Sequence, residues 1–317
     1  MNQHPLRTLI LTLGVVVLGP ACAQSQKIDG LNRPVARVTP TATPTQGSFT
    51  DADFERHVRK LRKKIPAGFT LLIEPPFVVL GDESPARVRL HAVQTVRWAT
   101  TRLKALYFPK DPKRIIEIWL FKDGASYQKH AMALWNDKPG TPFGYYSDAH
   151  GVLVMNIATG GGTLVHEMVH PFVESNFPDA PAWLNEGLGS LYEQCGEKNG
   201  RIWGDTNWRL AGLQTAIGKG TVPSFKKLTA MTSHQFYEQD RGTNYAQSRY
   251  LLYYLQSKSK LVPFYQLFHR NRKQDPTGYK SLKKILGAPD MAAFQQQWER
   301  YVLTLRFPPR PAASGGG

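Results

Sequence analysis

Residues 163–193 read TLVHEMVHPFVESNFPDAPAWLNEGLGSLYE, and this stretch decides how the fold is interpreted. His166 and His170 stand four positions apart, with Glu167 between them. Residues four apart share one face of a helix, so both imidazoles can reach a single zinc ion. Glu167 projects beside them, where its carboxylate can take a proton from water that the metal polarises.

The surroundings of this motif favour a metal site over an amphipathic helix that merely carries histidines on its polar edge. The helix is predicted to be buried, so its charged groups need partners, and a metal supplies them. Residues 160–162 are glycines that allow a tight approach, and Thr163 is a candidate N-cap. The apolar positions that predict burial are Leu164, Val165, Met168 and Val169.

A third ligand follows on a second predicted helix, which opens at Ala182. Glu186 lies 16 positions after His170, which leaves room for one loop and a return. Two histidines and one glutamate supply three protein ligands, as at catalytic zinc sites, where a fourth position stays open. The sequence therefore predicts one Zn²⁺ on His166, His170 and Glu186. Pro171 directly follows the second histidine and predicts that the first helix ends or kinks there.

The segments HEMVH (residues 166–170) and WLNEG (residues 183–187) together resemble the gluzincin zinc metallopeptidases of the peptidase MA-like branch. The resemblance covers residues from about 75 to about 260. It implies a zincin-like α+β fold, the same three zinc ligands, and Glu167 as general base. Thermolysin-like relatives brace a ligand histidine with an aspartate four positions after the ligand glutamate, and here that position is Ser190. Glu193 is the candidate replacement, with a solvated charge as the alternative.

Peptide hydrolysis also needs a donor to the oxyanion of the tetrahedral intermediate. Relatives of the aminopeptidase type use a tyrosine well downstream of the ligand glutamate. Tyr245, 59 positions after Glu186, has a similar placement and is predicted to be this catalytic residue. A core or capping tyrosine is the alternative. His234 is a competing donor, and Arg249 is predicted to bind a substrate carboxylate or to pair with an acid.

The amino terminus has the three parts of a secretory signal in residues 1–23. Arg7 supplies the positive start, residues 9–18 the apolar run, and Ala21-Cys22-Ala23 a small-residue cleavage site. The run is too short to span a bilayer comfortably. A lipoprotein signal at Cys22 is the alternative to simple secretion. Either way the sequence predicts an exported protein, periplasmic or secreted, or lipid-anchored to a bacterial membrane.

The chain has 317 residues and a formal net charge of +16. Such a charge suits binding to an anionic cell-envelope surface. The alternative, which we favour, is that the charge only confers solubility. The sequence has no basic stripe interleaved with aromatic residues, so it does not predict nucleic-acid binding. Residues 50–65 form a basic amphipathic helix, for which a solvated face is favoured over a membrane-surface role. Cys195 stays without a disulfide partner once residues 1–23 are removed, and is predicted to be packed rather than nucleophilic.

The organisation predicted along the chain is a signal, a tether, one domain and a tail. Residues 24–48, rich in threonine and proline, form a disordered linker, and residues 308–317 a disordered tail. Residues 49–307 form a zincin-like metallopeptidase domain, with an α/β half (49–193) that holds the zinc site and a helical half (194–307). Residues 144–157 are predicted to form a hairpin. The resemblance to the gluzincins implies that its second strand, 152–157, lies along the cleft edge, where a peptide could add as a further strand. An ordinary edge strand is the alternative.

The remaining elements follow from hydrophobic periodicity and turn signals. Strands are predicted at 69–73, 77–80 and 115–121, and helices at 85–106 and 126–134. Residues 196–204 are predicted to be a loop. Helices are predicted in the second half at 207–217, 224–231, 233–239, 245–257, 261–272, 279–286 and 290–304.

These observations predict an exported zinc metallopeptidase that acts on a peptide or protein. No motif for capture of a peptide amino terminus precedes His166, which favours an endopeptidase. Two rival functions remain. One is a non-catalytic, zinc-stabilised cell-envelope binding module, which would not need Glu167. The other is a basic surface adhesin whose helices bind polyanions. For the metallopeptidase, contact with a membrane is expected only through a lipid anchor.

Overall fold

The computed structural model describes residues 49–307 and shows an α+β protein that is mostly helical. It contains a five-stranded mixed sheet and a two-stranded hairpin. The predicted signal at residues 1–23 with Cys22, the predicted linker at 24–48 and the predicted tail at 308–317 lie outside the described residues. No helix between residues 49 and 307 has the length and apolar character needed to cross a bilayer.

The first part of the chain supplies the sheet and the helices that cover it. Its strands are β1 (Thr70–Glu74), β2 (Phe77–Gly81), β3 (Ile116–Phe121), β4 (Gly144–Ser147) and β5 (Val152–Asn156). Its helices are α1 (Asp51–Leu61), α2 (Pro85–His91), α3 (Trp98–Leu106), α4 (Gly124–Trp135), α5 (Gly161–Asn176) and α6 (Ala182–Leu191). A π-helical segment, Ala92–Arg97, joins α2 to α3, and a 3-10 turn, Ile157–Thr159, precedes α5.

The second part is helical apart from one hairpin. The hairpin strands are β6 (Cys195–Lys198) and β7 (Arg201–Gly204). The helices are α7 (Arg209–Gly218), α8 (Phe225–Ala230), α9 (Ser233–Glu238), α10 (Arg241–Ser257), α11 (Leu261–Asn271), α12 (Tyr279–Leu286) and α13 (Met291–Thr304). One continuous apolar core joins the two parts and runs from Phe77 to Val302.

The strand order in the large sheet is β1-β2-β3-β5-β4. Strands β2, β3 and β5 are parallel, whereas β1 and β4 are antiparallel to their neighbours and lie at the two edges. The predicted edge strand at residues 152–157 is therefore wrong. β5 has hydrogen-bonded neighbours on both sides and is buried throughout, and the edge belongs to β4. The β4–β5 hairpin was predicted from the sequence. Which of its two strands pairs with β3, and so which lies at the edge, depends on contacts distant in sequence.

The two faces of the sheet pack against different helices because successive side chains point to opposite faces. One face, with Val79 and Ile118, packs against α2, α3 and α5. The other face, with Val78 and Trp119, packs against α1 and α4. Helix α1 ends at Leu61 instead of continuing to residue 65 as predicted. Its buried side chains are Phe54, Val58 and Leu61.

An end or a kink was predicted at Pro171, and the helix does not end there, because α5 continues to Asn176. A proline inside a helix removes one backbone hydrogen bond and costs about 3 kcal/mol. Phe172 and Val173 directly follow it and are buried, and their packing compensates for that cost. The helix can therefore extend past the metal-binding motif into the core.

The predicted loop at residues 196–204 is also wrong, since it forms the hairpin β6–β7. Asn199 and Gly200 connect its strands with φ values of 53° and 73°. Both residues are left-handed, as a type I′ turn requires, and Asn-Gly is the favoured sequence for that turn. The dipeptide was thus a usable signal. It was masked because Cys195–Lys198 lacks the apolar alternation of a half-buried strand.

Candidate metal centre

Helices α5 and α6 bring three donor atoms to one point. The Nε2 atom of His166 lies 3.2 Å from Oε2 of Glu186, and the Nε2 atom of His170 lies 3.8 Å from the same oxygen. All three donor atoms lie within 4.8 Å of one another. Ligand atoms at about 2.1 Å from a tetrahedral ion are separated by about 3.4 Å, so this spacing suits a single ion. The three ligands predicted from the sequence are thus brought together and can hold a metal.

Each imidazole is oriented through its other nitrogen. Oε1 of Glu193 accepts a hydrogen bond from Nδ1 of His166, and Oδ1 of Asn185 accepts one from Nδ1 of His170, both at 3.0 Å. A proton on Nδ1 leaves the lone pair of Nε2 directed at the shared point. Both rings are therefore fixed in the tautomer that a metal ion needs.

Two buried atoms at this point have no hydrogen-bond partner among residues 49–307. They are Nε2 of His170 and Oε2 of Glu167, which lie 3.8 Å apart. Leaving a buried polar atom unpaired costs about 1–3 kcal/mol, so such atoms indicate a missing partner. A cation ligated by His170 would satisfy the first atom directly, which means that the donor set fits a metal ion.

The electrostatic potential at this point favours a cation. Burial opposes protonation of His166, but its hydrogen bonds to Glu186 and Glu193 outweigh burial and raise its pKa to about 10. Burial likewise opposes ionisation of Glu186, yet the nearby imidazoles lower its pKa to about 2. The same negative potential that holds a proton on His166 would hold a metal ion in its place.

Glu193 is a buried partner of His166, so the alternative of a solvated charge is wrong. Its carboxylate accepts bonds from Nε and Nη2 of Arg209 at 2.8 and 2.6 Å, and from Nδ2 of Asn207 at 3.0 Å. Burial opposes its ionisation, but Arg209 outweighs burial and holds the pKa of Glu193 well below its usual range. Ser190 instead donates to the carbonyl oxygen of Glu186 in its own helix.

Two glycines allow the close packing around His166. A Cβ atom on Gly189 would lie 3.0 Å from Nε2 of His166, at the very nitrogen that faces the metal point. A Cβ atom on Gly162 would lie 1.9 Å from the carbonyl oxygen of Glu193, which no backbone could accommodate. The glycines thus let α5, α6 and the segment after α6 approach each other.

Glu167, the predicted general base, points into the same space. Its side chain is 2% exposed, and burial raises its pKa while the two imidazoles oppose that effect. The backbone amide of Tyr146 in β4 also favours its charged form. A carboxylate with a raised pKa is suited to taking up and returning a proton.

Helices α9 and α10 approach the site from the other side. The hydroxyl of Tyr237 donates to Oε1 of Glu186 at 2.7 Å. Tyr245, the tyrosine predicted from the sequence, is 2% exposed, and its ring centre lies 6.4 Å from that of Tyr237. Burial first, and then the charges of Glu186 and Glu167, raise the pKa of Tyr245 well above its usual range. Both tyrosines therefore lie beside the site.

Arg249 does not have the predicted role. It is fully buried, and its Nη2 atom donates to the carbonyl oxygens of Leu191, at 3.3 Å, and of Asp205. A side chain at 0% exposure cannot bind a substrate carboxylate. Arg249 also does not pair with the buried Glu193, whose partner is Arg209. Arg249 was misjudged because its distance from Tyr245 along α10 does not reveal which neighbours face it. His234, the other suggested donor, is exposed on α9.

Cys195 is half-buried at the start of β6. Burial raises the pKa of its thiol to about 12. The thiol therefore stays protonated at neutral pH and is a poor nucleophile, in line with the expected packing role.

Four residues that contact the site were not predicted from the sequence, namely Arg209, Asn207, Asn185 and Tyr237. Asn207 and Arg209 lie beyond the β6–β7 hairpin, and no motif distinguishes them. Tyr237 is one of thirteen tyrosines in the chain. For Arg209, the usable signal was that a buried Glu193 requires a cation as its partner. Asn185, directly before the ligand Glu186, could have been proposed as a partner for a ligand histidine.

No protein-family model matches the chain, and no curated protein is significantly similar to it. The function is therefore inferred from the geometry of these side chains.

We expect Glu193→Gln to weaken metal binding about 10- to 100-fold, as is typical when the partner of a ligand histidine is lost. The side-chain amide of the glutamine accepts the hydrogen bond from Nδ1 of His166 less strongly than the carboxylate does, and it leaves Arg209 without its counter-charge. Competition with a chromogenic chelator measures the affinity, and circular dichroism checks the fold. Glu55→Gln, at an exposed position of α1, is the matched control. Equal affinity in the two variants would contradict the role of Glu193.

Proposed function

We propose that the protein is an exported zinc metallopeptidase that hydrolyses internal bonds of peptides or proteins. The observation that carries this proposal is the buried Glu167 carboxylate. It lies beside three metal-binding side chains, and its unpartnered Oε2 atom is 3.8 Å from Nε2 of His170. Structural metal sites need ligands only, whereas hydrolytic sites also need a base beside the open position.

The arrangement of elements supports a zincin-like interpretation of the fold. A mixed sheet is followed by the helix with both histidines, then by the helix with the ligand glutamate, and then by a helical part. Two imidazoles and one carboxylate form a donor set that suits zinc. We therefore propose Zn²⁺ as the ion held by His166, His170 and Glu186, as the resemblance to the gluzincins implies.

The side chains divide the chemistry between them. A zinc ion bound there would supply the Lewis acidity that activates water and polarises the scissile carbonyl. Glu167 takes a proton from the attacking water and delivers it to the leaving amine. Glu193 and Asn185 keep the two imidazoles in place throughout. Burial of all these groups strengthens each electrostatic interaction, because bulk water is kept away.

The free edge of β4 is the proposed docking strand for the substrate, in place of residues 152–157. The carbonyl oxygens of Phe143 and Ser147 accept hydrogen bonds from the β5 side, each at 2.8 Å. Residues alternate in an antiparallel ladder, so Gly144 and Tyr146 direct their backbone groups away from β5. The amide of Tyr146 lies beside Glu167. A peptide that pairs with this edge would therefore pass the general base.

Two tyrosines are candidate donors to the oxyanion. Tyr245 keeps the role that the sequence predicts, because it lies near both Glu186 and Glu167. Tyr237 is the stronger candidate on geometry, since its hydroxyl lies 2.7 Å from Oε1 of Glu186 and its side chain is only half-buried. A hydroxyl next to a metal ligand is well placed to turn toward charge that develops on a substrate oxygen.

The alternative function, a non-catalytic zinc-stabilised binding module, leaves Glu167 unexplained. Burying a carboxylate without a full set of hydrogen bonds is unfavourable, and such a module would be more stable with a neutral side chain there. The geometry therefore favours catalysis.

We expect Glu167→Gln to lower the rate of peptide cleavage by a factor of about 10² to 10⁴, because the amide cannot accept a proton. Zinc content should stay at one ion per chain. Mass spectrometry of a mixed peptide library measures cleavage, and elemental analysis measures zinc. Glu55→Gln changes an exposed acid on α1, away from the site, and serves as the control. Cleavage by Glu167→Gln at the wild-type rate would refute the assignment.

We expect Tyr237→Phe to lower kcat by about 10² with little change in KM, and Tyr245→Phe to have a smaller effect. The reason is that the hydroxyl of Tyr237 lies within hydrogen-bond distance of the ligand Glu186, and no such bond joins Tyr245 to a metal ligand within residues 49–307. Both variants should bind zinc as the wild type does. A larger loss of kcat in Tyr245→Phe would return the role to the residue predicted from the sequence.

A further inference from the structure

The end of helix α1 and the residues after it form the basic face of the molecule, which we define as Arg59, Lys60, Arg62, Lys63 and Lys64. All five side chains are exposed. The acidic residues of α1 lie at its other end, where Asp53 pairs with Arg56. Five cations thus occur within six positions, and no acid interrupts them.

None of these five cations pairs with an acid among residues 49–307, whereas some cations elsewhere in that range do. Arg97 pairs with Glu74 at 2.7 Å and Arg209 with Glu193 at 2.6 Å. Within the described range 49–307, no side chain of the basic face forms a salt bridge. Their mutual repulsion is therefore uncompensated, and an anionic surface would relieve it.

The apolar stripe of α1 is already used inside the protein. Phe54, Val58 and Leu61 pack against the sheet with Val78 and Trp119. The helix therefore has no free apolar face with which to insert into a bilayer. Any contact through it must be made by its charges, at the level of headgroups.

Helix α4 extends the same surface. It covers the same face of the sheet as α1, through Tyr127 and Ala131. Lys129 is exposed on it, and Gly124–Trp135 contains no acidic residue. Met132, on the same helix, is an apolar side chain that is 45% exposed. The surface formed by α1 and α4 thus carries the five cations of the basic face, Lys129 and one exposed apolar side chain.

The metal centre lies on the other side of the sheet. Helix α5 packs against the opposite face, in the core that contains Val79 and Ile118. A membrane bound through α1 and α4 would therefore lie behind the sheet, and the centre would stay accessible to substrate. In the sequence, α1 also directly follows the predicted linker that leads to the export signal.

We propose that the surface formed by α1 and α4 binds anionic phospholipid headgroups. The basic face contains no aromatic side chain, whereas single-stranded nucleic acids are bound by aromatic stacking between charges. Binding is electrostatic and peripheral, so it weakens as salt shortens the range of the charges. It is independent of the metal centre and of peptide hydrolysis.

The test is sedimentation of the full chain with vesicles of phosphatidylcholine, alone or mixed with phosphatidylglycerol. The apolar N-terminal segment is common to all variants, so the gain in binding from phosphatidylglycerol is the quantity measured. One variant carries R59Q, K60Q, R62Q and K63Q. The matched control carries K273Q, K280Q, K283Q and K284Q, which removes the same charge from exposed positions in and before α12.

In the α1 variant, we expect the increase in binding caused by phosphatidylglycerol to be smaller by a factor of about ten or more, since each cation near an anionic bilayer contributes appreciably to binding. The control should keep most of it, and 0.5 M salt should abolish it. Equal losses in both variants would show that net charge alone acts, and would overturn the proposal. So would a basic face that retains heparin at physiological salt but gives no gain with phosphatidylglycerol.

Discussion

The burial of four ionisable side chains at one point is the constraint on which the rest of this structure depends. His166, Glu167, His170 and Glu186 are at most 7% exposed. Removing such groups from water is costly unless each finds a partner of opposite charge. Protein atoms meet only part of that need, because Nε2 of His170 and Oε2 of Glu167 lack partners within residues 49–307. A cation held by His166, His170 and Glu186 would give Nε2 of His170 the partner that it lacks, and would balance the charge buried between the two helices.

The helical part of the chain orients the site that the α/β part carries. Glu193 orients His166, and Arg209 holds Glu193. Arg249 and Gln256 on α10 in turn fix the segment between α6 and α7. Gln256 bonds both backbone groups of Gly204, at 2.9 and 2.8 Å, while Arg249 binds the carbonyl oxygens at both ends of that segment. A displacement of the β6–β7 hairpin would therefore move Glu193, and with it the imidazole of His166.

The sequence predicted the parts of the site that depend on helical spacing. His166, Glu167 and His170 share one turn, and Glu186 follows after one short loop, so local geometry was enough to place them together. Glu193 could be named as a candidate because it lies on the same short segment. The edge position predicted for residues 152–157 and the loop predicted for residues 196–204 were wrong, and α5 does not end at Pro171. These features depend on packing against distant parts of the chain, as at Phe172 beyond Pro171.

Partners distant in sequence were the most difficult to find. Arg209 reaches Glu193 only because β6 and β7 reverse the chain, and Tyr237 reaches Glu186 only because α9 packs beside α6. No spacing rule connects such residues before the topology is known. The spacing of apolar residues did predict a basic amphipathic helix at α1. Only the structure shows that its apolar stripe is buried, and that the five cations of the basic face form no salt bridge within residues 49–307.

Anomalous diffraction at the zinc absorption edge, from crystals of the zinc-loaded protein, tests the central claim most directly. We expect one strong peak between α5 and α6, at about 2.0–2.2 Å from the Nε2 atoms of His166 and His170 and from a carboxylate oxygen of Glu186. A peak on other side chains, or zinc-loaded crystals without a peak at this point, would contradict it.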